Sequence, residues 1–160
     1  MLSQMQLKDF VVQLLHVEAN PKFVLQKGNY LEDKLDFSFD MMERKDPKLY
    51  RINLDLSING KDEDFANRAY RIHVVVYVIY GFDLKMPKED IDKLLGPNGL
   101  AMAYSIARGV LANATGSSLH GKYILPTVNF VELLKEKASQ QGKKVKGANT
   151  LRKPGNRKKG

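Results

Sequence analysis

Apolar and polar residues alternate with a period of two in three well-separated stretches of the chain. In 35–41, "LDFSFDM", Leu35, Phe37, Phe39 and Met41 oppose Asp36, Ser38 and Asp40. In 50–59, "YRINLDLSIN", an apolar set beginning Tyr50, Ile52 and Leu54 opposes a polar set beginning Arg51, Asn53 and Asp55. Successive side chains of an extended chain point to opposite faces, so each stretch predicts a half-buried strand. In 70–84, "YRIHVVVYVIYGFDL", one face is apolar throughout. The other starts with Arg71 and His73 and turns apolar at Val75, Tyr77 and Ile79. This strand is expected to be apolar on both faces over its second half. The stretch 7–17, "LKDFVVQLLHV", is mixed on both faces and predicts a less regular strand, the first in order. Asn59-Gly60 marks a turn, and the polar "KDEDFANR" behind it implies a connection longer than two residues.

The period changes in the second half. Pro87, the acids Glu89 and Asp90 behind it, and Gly96 as a stop predict a short helix. In 98–116, Ala103, Ile106, Ala107, Val110, Leu111 and Ala114 form one helical stripe, small enough for another backbone to approach closely. A short strand over 122–125 is expected to end at Pro126, which cannot donate to a ladder. Asn129 and Glu132 have the spacing of a capping box and open a last helix, with Phe130, Leu133, Leu134 and Ala138 on its apolar side. Strands followed by helices imply an α+β domain: a four-stranded antiparallel meander with a long helix and a C-terminal helix on one side.

Charge divides the chain in two. The net charge is +8, and residues 142–160 hold eight basic residues and no acid: Lys143, Lys144, Lys146, Arg152, Lys153, Arg157, Lys158 and Lys159. Of the 26 basic residues this leaves 18 for 1–141, matching its 18 acids. A neutral folded domain over 1–141 and a basic, disordered tail over 142–160 are expected. Such a tail attracts polyanions in a salt-sensitive way. Without an aromatic residue it cannot stack on bases. A nucleic-acid- or ribosome-associated module acting through the tail is therefore one function class to keep.

Other classes fall away. The chain has no cysteine, which removes disulfides, thiolate catalysis and cysteine–metal sites and fits a reducing, cytoplasmic setting. The first ten residues lack the basic and apolar regions of a secretory signal. No apolar run nears the ~20 residues of a membrane helix, so no membrane insertion is expected. His16, His73 and His120 lie far apart without ligand spacing, and no phosphate loop or nucleophile elbow is present. No catalytic residue, metal or cofactor is expected. What stands out is apolar surface in excess of what one sheet and one helix layer can hide, which self-association relieves. Residues 21–31, "PKFVLQKGNYL", add Phe23, Val24, Leu25, Tyr30 and Leu31 without any period. They read either as a loop folded back on the core or as an apolar lip that other chains bind.

The order of these elements resembles the SecB family of export chaperones over about residues 7–141. "YGFDL" closing the long strand, "IARGVL" in the long helix and "LPTVNFVELL" opening the last helix carry the likeness. Family members have Pro-Val-Asn-Phe at the last joint. Here Pro126 and Asn129-Phe130 match around Thr127-Val128, one residue longer, and Ala107-Arg108 follows Ser105-Ile106 in place of Pro-Tyr. The resemblance implies dimers paired into a tetramer, and ATP-independent holding of unfolded or nascent polypeptides in apolar grooves. Carried over by position, the groove would use Phe23, Leu25, Tyr30, Leu31 and Leu35, faced by Phe130, Leu133 and Leu134. The family's acidic docking surface for the motor ATPase SecA has no counterpart in "RIHVVVYV", and the tail is positive. That argues against delivery to SecA and for a specialised SecB-like chaperone, for example one guarding an antitoxin.

Overall fold

One antiparallel sheet organises the first part of the chain. In the computed structural model, which describes residues 3–25 and 31–149 with side chains to 139, the strands are β1 (Met5–Ala19), β2 (Leu35–Glu43), β3 (Leu49–Ile58) and β4 (Tyr70–Phe82). Their order is β1-β4-β3-β2. The expected meander therefore covers β2 to β4, and β1 joins beside β4 through the 20–34 connection. A short α1 (Asp62–Phe65) lies between β3 and β4. After β4 come α2 (Lys88–Leu94), one π-helical turn (Leu95–Gly99) and α3 (Leu100–Thr115). The chain divides into two units, Met1–Thr127 and Val128–Gly160. The second contains α4 (Phe130–Asn149).

In β3 and β4 the alternation of the sequence becomes an alternation of burial. Ile52, Leu54 and Leu56 pair with Val78, Val76 and Val74, and all six are fully buried on the inner face. The outer face of β4 is half-buried, with Val75, Tyr77 and Ile79 following Arg71 and His73. Helix α3 lies over β3 and β4 and buries Leu100, Ala103, Ala107 and Leu111. Ile106 and Val110, expected on the same stripe, are only half-buried and Ala114 is exposed. The stripe is thus wider than the face that meets the sheet.

Strand β1 obeys the same rule in disguise. Its register against β4 slips between Leu7 and Asp9 and again between Val12 and Leu14. Each slip inserts one residue, Lys8 and Gln13, and each insertion moves the next side chain to the other face. Leu7, Phe10, Val12, Leu15 and Val17 then all stand opposite inward-facing residues of β4, from Tyr80 to Ile72. The mixed pattern of 7–17 is a regular strand read across two bulges.

Two expectations change. Gly96 does not stop the first helix, because the π turn carries the chain directly into α3. Tertiary contact holds that turn: Tyr80 Oη–H donates to the Gly99 carbonyl at 2.7 Å, and a Cβ on Gly99 would sit 2.7 Å from Ile52 Cδ1. Residues 122–125 form no strand; side chains rather than a neighbouring strand take the Tyr123 N–H and the Leu125 carbonyl.

In the second unit Asn129 is the expected N-cap, its Oδ1 accepting the Glu132 N–H at 3.3 Å. Helix α4 spans Phe130–Asn149. Lysine is a good helix former, and each of the two glycines of α4, Gly142 and Gly147, costs a helix only about 1 kcal/mol. Residues 150–160, with Arg152, Lys153, Arg157, Lys158 and Lys159, lie outside the described residues.

Burial raises the phenols of Tyr50, Tyr80 and Tyr104 above the usual tyrosine value, with Glu43 and Asp92 adding to the effect at Tyr50. A raised native value means that the folded form holds its proton longer than the unfolded chain does. Stability from these groups is complete below the unfolded tyrosine value of ~10 and falls as pH rises beyond it. The urea midpoint is expected to be flat from pH 8 to 9.5 and to drop steeply above about pH 10. A midpoint unchanged at pH 11 would contradict this.

Candidate functional site

The connection from β1 to β2 leaves and rejoins the sheet at two buried asparagines. Asn20 follows β1. Its Nδ2 donates to the carbonyls of Phe65, Ala66 and Arg68 at 3.1, 3.3 and 3.2 Å, and its Oδ1 accepts the Lys22 N–H at 3.0 Å. Asn59, at the end of β3, is fully buried. Its Oδ1 accepts the Lys34 N–H at 2.9 Å, and its Nδ2 donates to Asp33 Oδ1 and to the Tyr70 carbonyl at 2.7 and 2.8 Å. Arg68 adds a third tie, from Nε to the Glu32 carbonyl at 2.8 Å. The guanidinium also pairs with Asp64 at 3.6 Å. Short side chains with both donor and acceptor suit this work, because an irregular chain over a sheet end has no ladder to satisfy its backbone.

Between this connection and residues 120–124 lies a cleft of about 430 Å³, wholly within the first unit. Its back wall is aromatic. The ring of His120 meets Phe23 edge-on at 5.4 Å and Tyr70 at 5.7 Å, and Tyr70 meets Tyr123 at 6.0 Å. Two further bonds fix these rings. His120 Nε2–H donates to the Asn20 carbonyl at 2.7 Å, which sets the tautomer, and Tyr70 Oη–H donates to the Gly121 carbonyl at 2.6 Å. The lip is aliphatic and open: Leu25, Leu31 and Ile124 are 68%, 53% and 55% exposed. Rigid aromatic walls with an unfilled aliphatic rim suit an apolar side chain from another molecule. Among the described residues no acidic or histidine cluster could hold a metal ion.

The structure brings together three of the groove residues read from the sequence, Phe23, Leu25 and Leu31. Leu35 is half-buried at the start of β2 and does not line the cleft. Tyr30 lies outside the described residues. Phe130, Leu133 and Leu134 occupy the first two turns of α4 in the second unit. Lys143, Lys144 and Lys146 lie further along the same helix. Sequence reasoning missed Arg68, Tyr70, Tyr123 and Ile124 as cleft residues, and did not place His120 in a cleft. They come from 36 to 100 positions along the chain from their partners in the connection, a separation that no local pattern reports.

No family model matches the chain, and no curated protein matches it by sequence. Its likeness is to solved structures. The SecB-like chaperone Rv1957 of Mycobacterium tuberculosis, solved with a ChAD peptide from the HigA1 antitoxin Rv1956, superposes with a TM-score of 0.55 at 13% identity, over 78% of this chain and 91% of that one. This chain has a SecB-like fold. A Streptococcus agalactiae protein of unknown function matches at 15% identity and a TM-score of 0.42, over 77% of this chain and 97% of that one. Within the SecB-like fold the cleft opens beside the 20–34 connection. Among the described residues no helix is long and apolar enough to cross a membrane.

Proposed function

We infer that this chain is an ATP-independent holdase that binds unfolded or nascent polypeptides in the cytoplasm. The observation that carries the reading is the cleft: an immobilised aromatic wall and an open leucine-rich lip on a SecB-like fold. The relative from Mycobacterium tuberculosis was solved with an antitoxin peptide, which supports a polypeptide as the class of ligand and makes an antitoxin segment the first client to try. Delivery to SecA is not part of the proposal, because the outer face of β4 carries no carboxylate.

The same reading includes self-association through β1. This strand is an outer strand of the sheet and runs for 15 residues. On its inner face Leu7, Phe10 and Leu15 are 41%, 47% and 43% exposed, whereas their partners in β4 are fully buried. On its outer face Val11 and Leu14 are also exposed. Natural sheets blunt such edges or pair them. A second copy of β1, antiparallel about a two-fold axis, offers the matching length and the matching apolar faces.

The test of the cleft is Leu25→Ser combined with Leu31→Ser. The parent is expected to suppress aggregation of a chemically unfolded protein without nucleotide. The double variant should bind that client roughly 30-fold more weakly, since two leucines lose burial on binding. Its urea midpoint should stay near the parent's, because both side chains are largely exposed without a client. A parent that fails to suppress aggregation would remove the holdase reading.

A further inference from the structure

A second hollow, of about 290 Å³, opens between the edge strand β2 and α2. It lies at the other end of the sheet from the cleft: Tyr70 starts β4, whereas Tyr50, in this hollow, stands opposite Tyr80 near the end of β4. Its lining belongs wholly to the first unit: Met41 and Glu43 from β2, Tyr50 from β3, Lys88 and Asp92 from α2, and Leu95. The alternation of β2 explains the strand side. Met41 and Glu43 follow Phe39 on the inner face, so the strand ends on a carboxylate where the apolar core ends. Lys88 and Asp92 are four positions apart in the sequence, which places them on one face of α2.

The deciding atom is the Tyr50 hydroxyl. Tyr50 is 3% exposed, and its Oη has no hydrogen-bond partner among the described residues. Glu43 and Asp92 are near enough to help raise the phenol, yet neither meets the hydroxyl in hydrogen-bonding geometry. Glu43 turns to Lys88 Nζ at 3.5 Å, in an exposed pair of the kind that contributes little. The Asp92 carboxylate has no hydrogen bond or ion pair among the described residues. A buried hydroxyl without a partner calls for a water, an ion or a ligand. A water satisfies the hydroxyl but not the charge, which is two carboxylates against one ammonium.

We propose that this hollow binds a guanidinium group on an aliphatic stem, held by Glu43 and Asp92, with Tyr50 Oη accepting one of its N–H groups. Three features select that chemistry. A guanidinium is a planar fork of donors, so one group reaches both carboxylates and the hydroxyl. It is more weakly hydrated than an ammonium and gives up its water more readily beside apolar walls. Met41 and Leu95 supply those walls and cover the methylenes of the stem. The volume sits at the small end of the roughly 300–1,000 Å³ of small-molecule pockets, which suits a single short cation. The hollow shares no residue with the cleft, so the inference stands apart from the holdase reading. The same chemistry has two sources, a free compound and an arginine side chain of another chain, and the test includes both.

The full chain is titrated with n-butylguanidinium while the NMR signals of the Tyr50 ring and the Leu95 methyls are followed. Both should shift, with a Kd below about 1 mM at low salt. Neutral n-butylurea, of the same shape, should bind roughly tenfold more weakly or worse. Tyr50→Phe should weaken n-butylguanidinium about five- to tenfold. Without ligand the same variant should keep a urea midpoint at or above the parent's, because it removes a hydroxyl that has no partner. Lys88→Gln removes the competing cation and should tighten binding about threefold. Agmatine and the peptide acetyl-Gly-Arg-Gly-amide separate the sources: binding of the first assigns the free compound, binding of the second the side chain, and either keeps the site. The absence of shifts at Tyr50 and Leu95, n-butylurea binding as well as the cation, Tyr50→Phe binding as tightly as the parent, or weaker binding by Lys88→Gln overturns the proposal. So does a Tyr50→Phe midpoint well below the parent's, which would mean that the hydroxyl already has a partner.

Discussion

Asn59→Ala is expected to destabilise the first unit by about 4 kcal/mol. Three losses add up. The Tyr70 carbonyl loses its partner in a buried bond and the Lys34 N–H in a part-buried one, at up to about 1–3 kcal/mol for each group left unsatisfied. Asp33 loses the donor that neutralises part of its charge. The backbone of Asn59 has a φ of 51°, a region that asparagine tolerates and alanine does not, for about 1 kcal/mol more. For a unit of this size the melting temperature should fall by roughly 15 °C. Two companions separate the causes. Asn59→Gly keeps the backbone relaxed and should recover about 1 kcal/mol of the loss. Asn59→Asp keeps the acceptor for Lys34 but sets a second carboxylate against Asp33, and should be no better than alanine. A urea midpoint for Asn59→Ala equivalent to less than 1 kcal/mol would show that the connection is not anchored there.

Asn59 also shows what the sequence can and cannot tell. Read locally, Asn59-Gly60 is a turn signal, and the chain bends at Asn59 on a φ of 51°. Its second role, gripping Lys34 across 25 positions, has no local signature. The strands divide along the same line. β2, β3 and β4 carry no bulge, so a period of two survives in the sequence. β1 has two bulges, at Lys8 and Gln13, and each resets the alternation. A reader who allows a step of three at those points recovers the apolar face at Leu7, Phe10, Val12, Leu15 and Val17. Nothing before folding marks where the steps fall. The helical half failed at one place for a related reason. "LGPNG" contains the residues that usually end helices, yet the Tyr80 hydroxyl and the close fit of Gly99 against Ile52 hold it as a π turn. Tertiary contact overrode local preference.

The cleft was legible only on one side. Phe23, Leu25 and Leu31 stand out because large apolar residues without a period, in a connection that also holds a proline, a glycine and three lysines, have no obvious place in a core. The opposite wall is hidden for the converse reason. Tyr70 reads as the first inward residue of β4, and it is. Nothing in that reading says that its hydroxyl reaches Gly121 or that its ring backs a binding surface. The 122–125 segment was expected as a strand because it has strand-like residues before a proline. It joins no ladder, and Thr115, Tyr70 and Arg108 bond the backbone there instead of a neighbouring strand.

The assembly is where one pair of substitutions should have the largest effect. Phe10→Asp with Leu15→Asp places two carboxylates on the inner face of β1, where a second copy would cover them. Burying an unpaired charge is far more costly than exposing one, so the variant should be monomeric at concentrations where the parent is not. Light scattering should give the parent a mass of at least twice 18.1 kDa, and the variant a mass of 18.1 kDa. The fold itself is expected to lose little, because both side chains are already more than two-fifths exposed in the single chain. This asymmetry makes the experiment decisive. Substituting Val76, which pairs with Val12 across the ladder and is fully buried, would unfold the sheet and say nothing about assembly. A parent that runs as a monomer at 100 µM, about 2 mg/ml by its mass, would leave the apolar face of β1 free. The holdase reading would then have to account for a second apolar surface as well as the cleft, and β1 would become the next place to look for a bound client.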